Sequence, residues 1–498
     1  MKINSKFEVN AVVADSDFRK RSESASAFII VLWIAFGLVS ICLYFASSMT
    51  MELRASENRL ANASAEQAIE GAVRYLNNIL AWQCSYGSNG VIPDPASYEC
   101  VGVPVGESRF WLIGRDTNST TLSFSTTPSQ LSYGLIDEGS KLNLNTTSSN
   151  ILSNLVTLLP YANQDLATAI LDWRSTNGSA TYQSYYSTQI QPYQNKGAPF
   201  ETIDELRLVY GGDMMTLVGE DLNRNGIIDA NEDSDHNGVL QPGIIDYVTV
   251  YSKEPNTRTN GDPKISISAL NGATGPLPDL LNTALGSSRA QTILQNLGLL
   301  NNSGAQQGGR GGNNGGRGGG PQPVQVQTFT SPLQFYRRSQ MTSDEFAKIC
   351  NDITVTPTNN TYIDGRVNIN TASANVLASL PGISSDGNLA QTIITYREGN
   401  PDKLGSIAWI VDALGSGNTT ALDALQAADA ITAQSFQFTA DIAAVGPRGR
   451  GYRRERVVFD TSTGAPRIVY RQDLTGLGWA LGKDVRDNLT MMAQNKTF

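Results

Sequence analysis

Two adjacent acidic stretches carry the most specific chemical signal in this sequence. The first, residues 221–232, has oxygen-bearing side chains at positions one, three, five and nine, a glycine at six and a glutamate at twelve. This is the spacing of the twelve-residue calcium loop, in which alternate residues converge on an ion that prefers six to eight hard oxygens. The predicted ligands are Asp221, Asn223, Asn225, the carbonyl of Ile227, Asp229 and Glu232.

A second, shorter run follows at once, but Ile244 stands where its closing glutamate would be. Because the loops abut, no exiting helix fits between them, and the pattern predicts a tandem calcium loop rather than a helix-loop-helix EF-hand. A solvated acidic turn is the alternative for each loop. We expect calcium to be structural here, because it would neutralise several carboxylates in a segment with little apolar content. The predicted ligands of the second loop are Asp233, Asp235, Asn237 and the carbonyl of Val239.

Other chemistry has little support in the residues. The single histidine, His236, lies among acids, so neither a histidine relay for nucleophilic catalysis nor a His/Cys zinc set can be built. We find no phosphate-binding Walker loop and no G-x-S-x-G motif. The net charge of −9 argues against nucleic-acid binding. We therefore expect a protein that is not an enzyme and that has no nucleic acid among its partners.

The element that must carry these loops begins with residues 27–49, an uncharged apolar stretch long enough to cross a bilayer as one helix. Basic residues precede it and an acidic chain follows, so the positive-inside rule predicts a cytoplasmic N-terminus and a single pass. Because apolar residues continue at helical spacing, we predict one helix of about fifty residues, half in lipid and half amphipathic. A generic membrane anchor is the alternative on this stretch alone. The basic residues before it are Lys2, Lys6, Arg19, Lys20 and Arg21.

Alternating apolar and polar residues predict strands on both sides of a long middle region. Neither group is large enough for a stable sheet, so we predict one antiparallel sheet made by both, packed on the helix and interrupted by an insertion. Cys84 and Cys100, just beyond the helix, are candidates for a disulfide in an oxidising compartment, with unpaired thiols as the alternative. The predicted strands are 108–113 and 120–126 early in the chain and 435–445, 452–460 and 467–473 late in it.

The insertion contains an internal repeat, whose copies open with residues 141–146 (KLNLNT) and 366–371 (RVNINT). In each copy an apolar helix, a Leu-Pro pair, a second helix ending in an aromatic-Arg pair and a third helix capped by Thr or Ser follow. The pattern resembles helix-hairpin-helix units. Units that bind DNA present a glycine-rich hairpin to phosphate, whereas one hairpin here has no glycine and the other lacks the second. We therefore predict a helical packing domain.

Two further segments are compositionally distinct. Residues 304–320, rich in Gly, Asn, Gln and Arg, predict a flexible linker inside the insertion. The arginines between residues 448 and 456 lie on a predicted hairpin, where they indicate either a solvated turn or contact with an acidic partner.

Together these features resemble the minor pseudopilin K family of type II secretion. A basic leader, a small-residue junction at Ala27–Phe28 and an apolar helix that begins with Phe are features of pilins, although Ala27 stands where most pilins have glycine. Leu32, the fifth residue after that junction, replaces the glutamate of most pilins, which is typical of this family. The repeat units and residues 195–206 are similar to the family's insertion.

The resemblance implies an α+β fold with a pilin-like long N-terminal helix packed on an antiparallel sheet, and a large, mostly helical, calcium-carrying insertion with two helix-hairpin-helix-like repeats. It implies cleavage between Ala27 and Phe28 and a place in the inner membrane, with the bulk of the chain periplasmic. The implied role is at the tip of the pseudopilus, in assembly and in export of folded proteins across the outer membrane. The implied partners are the minor pseudopilins I and J, with H as a further candidate, the inner-membrane secretion platform and exported proteins.

A membrane-tethered DNA receptor and a minor type IV pilin in adhesion are the alternatives. The predicted division of the chain is a leader (1–27), the transmembrane and stalk helix (28–80), the first part of the β domain (81–137), the insertion with the first repeat and calcium loops (138–255), a linker region (256–330), the second repeat (331–430) and the second part of the β domain with the tail (431–498).

Overall fold

The computed structural model describes residues 9–86, 90–116, 130–176, 181–300, 326–384, 386–415 and 417–495, with side chains from residue 27 to 491. Three predictions fall wholly or partly outside the described residues. They are the strand at 120–126, the linker at 304–320 and the first part of the leader.

The chain folds in the order of a long helix, three strands, a large insertion, three strands and a C-terminal helix. The first part consists of α1 (Val9–Ser85), β1 (Val103–Val105), β2 (Ser108–Ile113) and β3 (Ile136–Asp137). The insertion consists of β4 (Leu142–Asn143), α2 (Ser149–Leu158), α3 (Leu166–Arg174), α4 (Gln183–Ser187), α5 (Met214–Val218), β5 (Val248–Thr249), β6 (Lys253–Pro255), β7 (Ile265–Ser266), β8 (Ala269–Leu270), α6 (Pro276–Leu285), α7 (Ser287–Asn296), β9 (Gln327–Thr328), α8 (Pro332–Ser339), α9 (Ser343–Ala347), β10 (Ile353–Thr354), β11 (Tyr362–Asp364), β12 (Val367–Asn368), α10 (Ala374–Ser379), α11 (Gly387–Gly399), α12 (Trp409–Leu414), α13 (Thr419–Ala428) and β13 (Ile431–Thr432). The last part consists of β14 (Gln437–Val445), β15 (Tyr452–Asp460), β16 (Arg467–Asp473) and α14 (Gly482–Asn495).

Helix α1 is one uninterrupted helix of 77 residues. It is longer than the predicted fifty because the leader continues the same helix, so the candidate junction at Ala27–Phe28 lies inside α1. Every residue from 27 to 56 is exposed, as expected where lipid is the surrounding solvent. Among the described residues, this is the one helix whose length and composition suit a membrane span.

The early and late strands form one antiparallel sheet in the order β1-β2-β14-β15-β16, with β3 paired to the start of β14. The predicted α+β fold is thereby confirmed. The sequence placed β2, β15 and β16 at their observed bounds and began β14 two residues too early. All nine residues of β14 are buried, because the sheet is covered on both faces.

Helix α1 covers one face of the sheet. Ile69, Val73 and Leu76 lie three or four residues apart on one side of the helix and are buried against Leu112 and Ile442. The predicted packing of the sheet on the amphipathic half of the helix is therefore confirmed. The opposite face of the sheet packs on the C-terminal segment through Trp111, Val445, Ala480 and Leu481.

The insertion leaves the sheet at the end that faces away from the membrane. The loop between β14 and β15, residues 446–451, contacts α1 at Ala61, where a Cβ added at Gly451 would lie 2.5 Å from the Ala61 carbonyl carbon. At the other end of β14, Ser435 donates its N–H to the Gly90 carbonyl beyond the end of α1 (2.8 Å). Because α1 runs from the membrane span toward Ser85, the junction at residues 137 and 437 is membrane-distal.

Two adjacent buried carboxylates join the insertion to the sheet. Asp137 accepts hydrogen bonds from Asn368 of the second repeat (2.9 Å) and from Ser435 (2.7 Å). Glu138 accepts from Thr249 beside the first repeat and from Thr439 of β14 (2.7 Å). The two repeats are therefore fixed to the same end of the sheet.

The repeat has the predicted internal symmetry. Strand β4 pairs in parallel with β5, and β12 pairs in the same way with β13. The arginine of each aromatic-Arg pair then donates to the turn that follows the first strand. Arg174 bonds the carbonyls of residues 144 and 147, and Arg397 bonds those of residues 369 and 372.

The predicted Cys84–Cys100 disulfide is not formed in the structure, where both residues are half-buried thiols. Cys84 lies on the last turn of α1, whereas the carbonyl of Cys100 accepts the Leu112 N–H and ties this residue to β2. Each cysteine is therefore held by a different element. Burial raises the pKa of both thiols, which lowers their reactivity.

Candidate metal centre

The two acidic loops follow one another in a single segment, and the residues at the two ends of that segment are hydrogen-bonded to each other. Helix α5 leads into them, with Asp213 accepting the N–H of Thr216 at its N-cap (2.9 Å). Glu220 donates its N–H to the Gln241 carbonyl (3.0 Å), and Gly219 forms an isolated bridge with Pro242. This pairing closes the segment 220–241.

The first loop is held in shape by its own predicted ligands. Asp221 accepts the N–H groups of Asn225 and Gly226 through its two oxygens, both at 2.8 Å. Glu232 reaches back across the loop and accepts the N–H groups of Asn223 (2.9 Å) and Asp229 (3.1 Å). Gly226, with φ of 81°, makes the sharp turn that the spacing predicts.

Two carboxylates of this loop are in an environment that disfavours their negative charge. Asp221 and Glu232 are 1% and 3% exposed. Burial raises the pKa of Asp221 to about 6, with the nearby Asp246 adding to the effect, and raises that of Glu232 to about 7. A bound cation would reverse this effect, because it stabilises the ionised form of each group.

A buried arginine fastens the first loop to the sheet. Arg454 of β15 donates to both carboxylate oxygens of Asp441 on β14 (2.7 and 2.8 Å) and to the carbonyls of Asn223 and Arg224. Arg115 also donates to the Arg224 carbonyl (2.8 Å). The paired guanidinium holds the pKa of Asp441 well below its usual range despite complete burial. The loop therefore has a fixed position on the β domain.

The second loop repeats the same turns in a more exposed setting. Asp233 accepts the Gly238 N–H (3.2 Å), Asp235 accepts the Asn237 N–H (3.1 Å), and Asn237 accepts the Val239 N–H (2.6 Å). These oxygens point into the loop, as they do in the first one.

Glu220 joins this second loop, and sequence reasoning missed it. One oxygen each of Glu220, Asp233 and Asp235 lie within 4.8 Å of one another, the only such group of three among the described residues. Glu220 Oε2 and Asp233 Oδ1 are buried without a hydrogen-bond partner, which is costly for carboxylates that lack a cation. The sequence signal for Glu220 was that Ile244 occupies the closing position of the second loop, where a glutamate is expected. An acid from outside the loop could take the place of that glutamate, and Glu220 lies just before the first loop.

The first loop does not bring its three carboxylates together in the same way. Asp229 instead accepts hydrogen bonds from the side-chain amides of Asn223 (2.6 Å) and Asn225 (3.3 Å). The donor set of both loops consists of carboxylate, amide and carbonyl oxygens, which suits a hard cation such as calcium and not zinc. The residues present therefore fit the predicted ion, with Glu220 added to the second set.

The helix-hairpin-helix turns are covered by other parts of the insertion. Gly382 in the second hairpin has φ of 80°, and a Cβ added there would lie 2.7 Å from the Ala421 Cα of α13. In the first hairpin the Tyr161 carbonyl accepts the Thr216 hydroxyl of α5 (3.0 Å). Hairpins packed in this way do not present a free row of N–H groups to phosphate.

Comparison with known proteins gives two family matches. A model described as helix-hairpin-helix motif matches residues 364–402, and one described as type II secretion system (T2SS), protein K matches residues 135–217. The family resemblance drawn from the sequence is thereby confirmed. No curated protein gives a significant match. A chain in a crystal structure of the GspK-GspI-GspJ complex from the type 2 secretion system of enterotoxigenic Escherichia coli is similar at 10% identity and a TM-score of 0.36, over 85% of this chain and 99% of that chain.

Proposed function

We propose that this chain, which carries a protein K domain of type II secretion, is a non-enzymatic minor pseudopilin that caps the tip of the pseudopilus. The observation that carries the proposal is the position of the insertion. It extends from the membrane-distal end of the sheet, through the junction at Asp137 and Glu138. A subunit stacked above would meet the insertion, so this subunit suits the end of a filament and not its shaft.

A residue near the N-terminal end of α1 also supports a terminal position in the filament. Leu32 replaces the glutamate that would pair with the N-terminal amine of a subunit ahead, and a terminal subunit has no such neighbour. We propose that cleavage between Ala27 and Phe28 leaves the apolar half of α1 in the inner membrane. In this proposal the N-terminal leader lies in the cytoplasm before cleavage, and the chain after the membrane span lies in the periplasm.

A groove beside the stalk supports contact with subunits below. Its volume is about 700 Å³, and it is lined by Leu60, Ala61 and Ser64 of α1, by Val105 and by Pro447. Leu60 is 69% exposed although it lies on the helix one residue before the first buried position. This groove suits the apolar side of another pilin-like helix, and we propose the minor pseudopilins I, J and H as partners, followed by the secretion platform and exported proteins.

We further propose that both acidic loops bind calcium and that the ions are structural. Asp221, Asn223, Asn225, Ile227, Asp229 and Glu232 would hold one ion, and Glu220, Asp233, Asp235, Asn237 and Val239 the other. The positive charge of the ions would neutralise carboxylates that burial now forces toward their protonated forms. Isothermal titration calorimetry should find two sites at or below millimolar Kd; no heat at millimolar calcium would contradict the proposal.

Labelling of assembled filaments tests the tip position. An epitope placed in the insertion should be found once per filament, at one end. A matched epitope on the major subunit should decorate the whole shaft. Epitopes from this chain at regular intervals along the shaft would exclude the tip role.

The helix-hairpin-helix match makes DNA binding the competing reading, and the packed hairpins argue against it. Filter binding of the full-length protein to duplex and single-stranded DNA at low salt measures this. We expect retention no greater than that of an acidic control protein.

A further inference from the structure

The first metal loop is hydrogen-bonded to the C-terminal segment of the chain. Asn223 Nδ2 donates to the Trp479 carbonyl and Asn225 Nδ2 to the Ala480 carbonyl, both at 3.3 Å. The oxygens of the same amides point into the loop, where Asn223 Oδ1 accepts the Asn225 N–H (3.0 Å) and Asn225 Oδ1 the Ile227 N–H (2.9 Å). The nitrogen of each amide also donates to Asp229 Oδ2 within the loop (2.6 and 3.3 Å), so each amide links the loop to the C-terminal segment.

This contact fixes the start of α14 on the sheet. Ala480 is buried against the sheet face opposite α1, and its N–H donates to the Tyr452 hydroxyl (3.2 Å). The side chain of Ile227 lies 3.6 Å from the position of a Cβ added at Gly482, the first residue of α14. The loop thus approaches the segment at three points, residues 479, 480 and 482.

We infer that calcium in the first loop orders the C-terminal segment, residues 479–495, on the sheet, an inference that rests on the calcium proposal. The oxygen and nitrogen of an amide share one rigid plane. A cation that binds Oδ1 of Asn223 and Asn225 therefore also fixes the direction of their N–H donors. Without the ion, repulsion among the buried carboxylates loosens the loop and the two donors lose their alignment.

The ordering of the C-terminal segment by calcium should also affect the membrane-proximal end of the sheet. Helix α14 packs on the 446–451 loop, where Leu489 lies 3.5 Å from a Cβ added at Gly449. The same loop contacts α1 at Ala61. Calcium bound in the insertion is therefore linked, through α14, to the place where the stalk enters the β domain.

Hydrogen–deuterium exchange of the full-length protein in detergent, with calcium or with a chelator, tests the inference. Amides of residues 480–491 should exchange about tenfold more slowly with calcium, within the usual range of coupling between two sites. In the Asn223→Asp/Asn225→Asp variant, each aspartate keeps an oxygen ligand and loses the N–H donor. Calorimetry should still find calcium binding, while the exchange of residues 480–491 should no longer respond to it.

Two further variants complete the design. Tyr452→Phe removes a contact of the segment outside the loop. By linkage, calcium affinity should then fall, by no more than the factor by which calcium protects the segment from exchange. If the double variant does not fold, Asn223→Asp alone should show a smaller loss of the calcium-dependent protection of residues 480–491.

The outcomes separate the two proposals. Calcium binding with unchanged exchange at residues 480–491 would overturn the inference and leave the calcium site intact. A double variant that still gains full protection from calcium would also overturn it. No binding at millimolar calcium would refute the calcium proposal and the inference together.

Discussion

Replacement of Arg454 by methionine tests how the metal loop is fastened to the sheet. The guanidinium is completely buried and donates to both oxygens of Asp441 and to two loop carbonyls. Removing one partner of a buried, hydrogen-bonded ion pair costs about 3–5 kcal/mol. Asp441 keeps a second partner, Arg456 (3.0 Å), which places that cost at the lower end of the range. The Arg224 carbonyl keeps its bond from Arg115, whereas the Asn223 carbonyl loses the Arg454 donor, at about 1–3 kcal/mol. We expect Arg454→Met to lower the free energy of unfolding by roughly 5 kcal/mol.

Urea unfolding of the full-length protein in detergent, followed by tryptophan fluorescence, measures this loss. Arg454→Met/Asp441→Leu should recover about 1 kcal/mol or more, because the buried carboxylate is removed together with the guanidinium, although Arg456 then loses its contact with Asp441. Arg450→Met is the matched control, since Arg450 pairs with Glu57 on the surface and should cost less than about 1 kcal/mol. A loss below 1 kcal/mol for Arg454→Met, or a double variant as unstable as the single, would refute the reasoning.

The pH dependence of this pair follows from the lowered pKa of Asp441. A carboxyl whose pKa is lower in the folded state stabilises the protein above its unfolded-state pKa of about 3.9. That contribution is lost only as the pH falls toward the lower folded-state value. In Arg454→Met, burial without that guanidinium raises the pKa of Asp441, so the variant regains stability as the carboxyl is protonated. The difference from the wild type should therefore be largest near pH 8 and shrink as the pH falls toward 4.

Four further predictions concern the loops and the hairpin. Because Glu232 and Asp221 have a raised pKa of about 7 and about 6 in the metal-free loop, calcium affinity should fall as the pH is lowered from 8 to 5 and binding should release protons; calorimetry in buffers of different ionisation enthalpy measures both, and a pH-independent Kd would contradict this. Because these pKa values are raised in the folded state, ionisation of the two acids destabilises the metal-free protein above about pH 7. Thermal scans should therefore show a higher Tm for the metal-free protein as the pH falls toward 5. Glu220→Gln should reduce the calcium stoichiometry from two to one, while equal loss of both sites would show that Glu220 does not belong to the second. Gly382→Val should destabilise the protein by at least about 2 kcal/mol in urea, because its φ is left-handed and Ala421 blocks the added side chain; a neutral result would mean that the hairpin is not packed as observed.

Local patterns in the sequence predicted the elements well, because each depends on near neighbours in the chain. The helical spacing of apolar residues predicted the amphipathic half of α1, whose Ile69, Val73 and Leu76 are buried on the sheet, and alternation placed β15 and β16. The repeat was visible because its two copies use the same short strand and the same aromatic-Arg pair. The calcium spacing likewise predicted the turn geometry around Gly226, although metal binding there stays a proposal.

Contacts between distant parts of the chain could not be read in the same way. The arginines at 448–456 were predicted to be a solvated turn or a partner contact, yet Arg454 is buried against a loop 230 and 231 residues earlier. Glu220 enters the second loop only because residues 219–220 pair with 241–242. The Cys84–Cys100 disulfide was inferred from proximity in sequence, and the structure shows both residues as thiols, Cys84 on α1 and Cys100 beside β2.

The order of strands in the sheet has a consequence for the time course of folding. Strand β2 is completed by β14, whose Asp441 lies opposite Ile113, so more than 300 residues of chain separate the two partners. Pairing of residues so far apart in sequence is intrinsically slow, and until β14 pairs with it the exposed edge of β2 is a site of aggregation. During synthesis, the stalk with β1 and β2 therefore emerges long before the strand that pairs with β2. We expect this partly folded state to be the one most prone to aggregation.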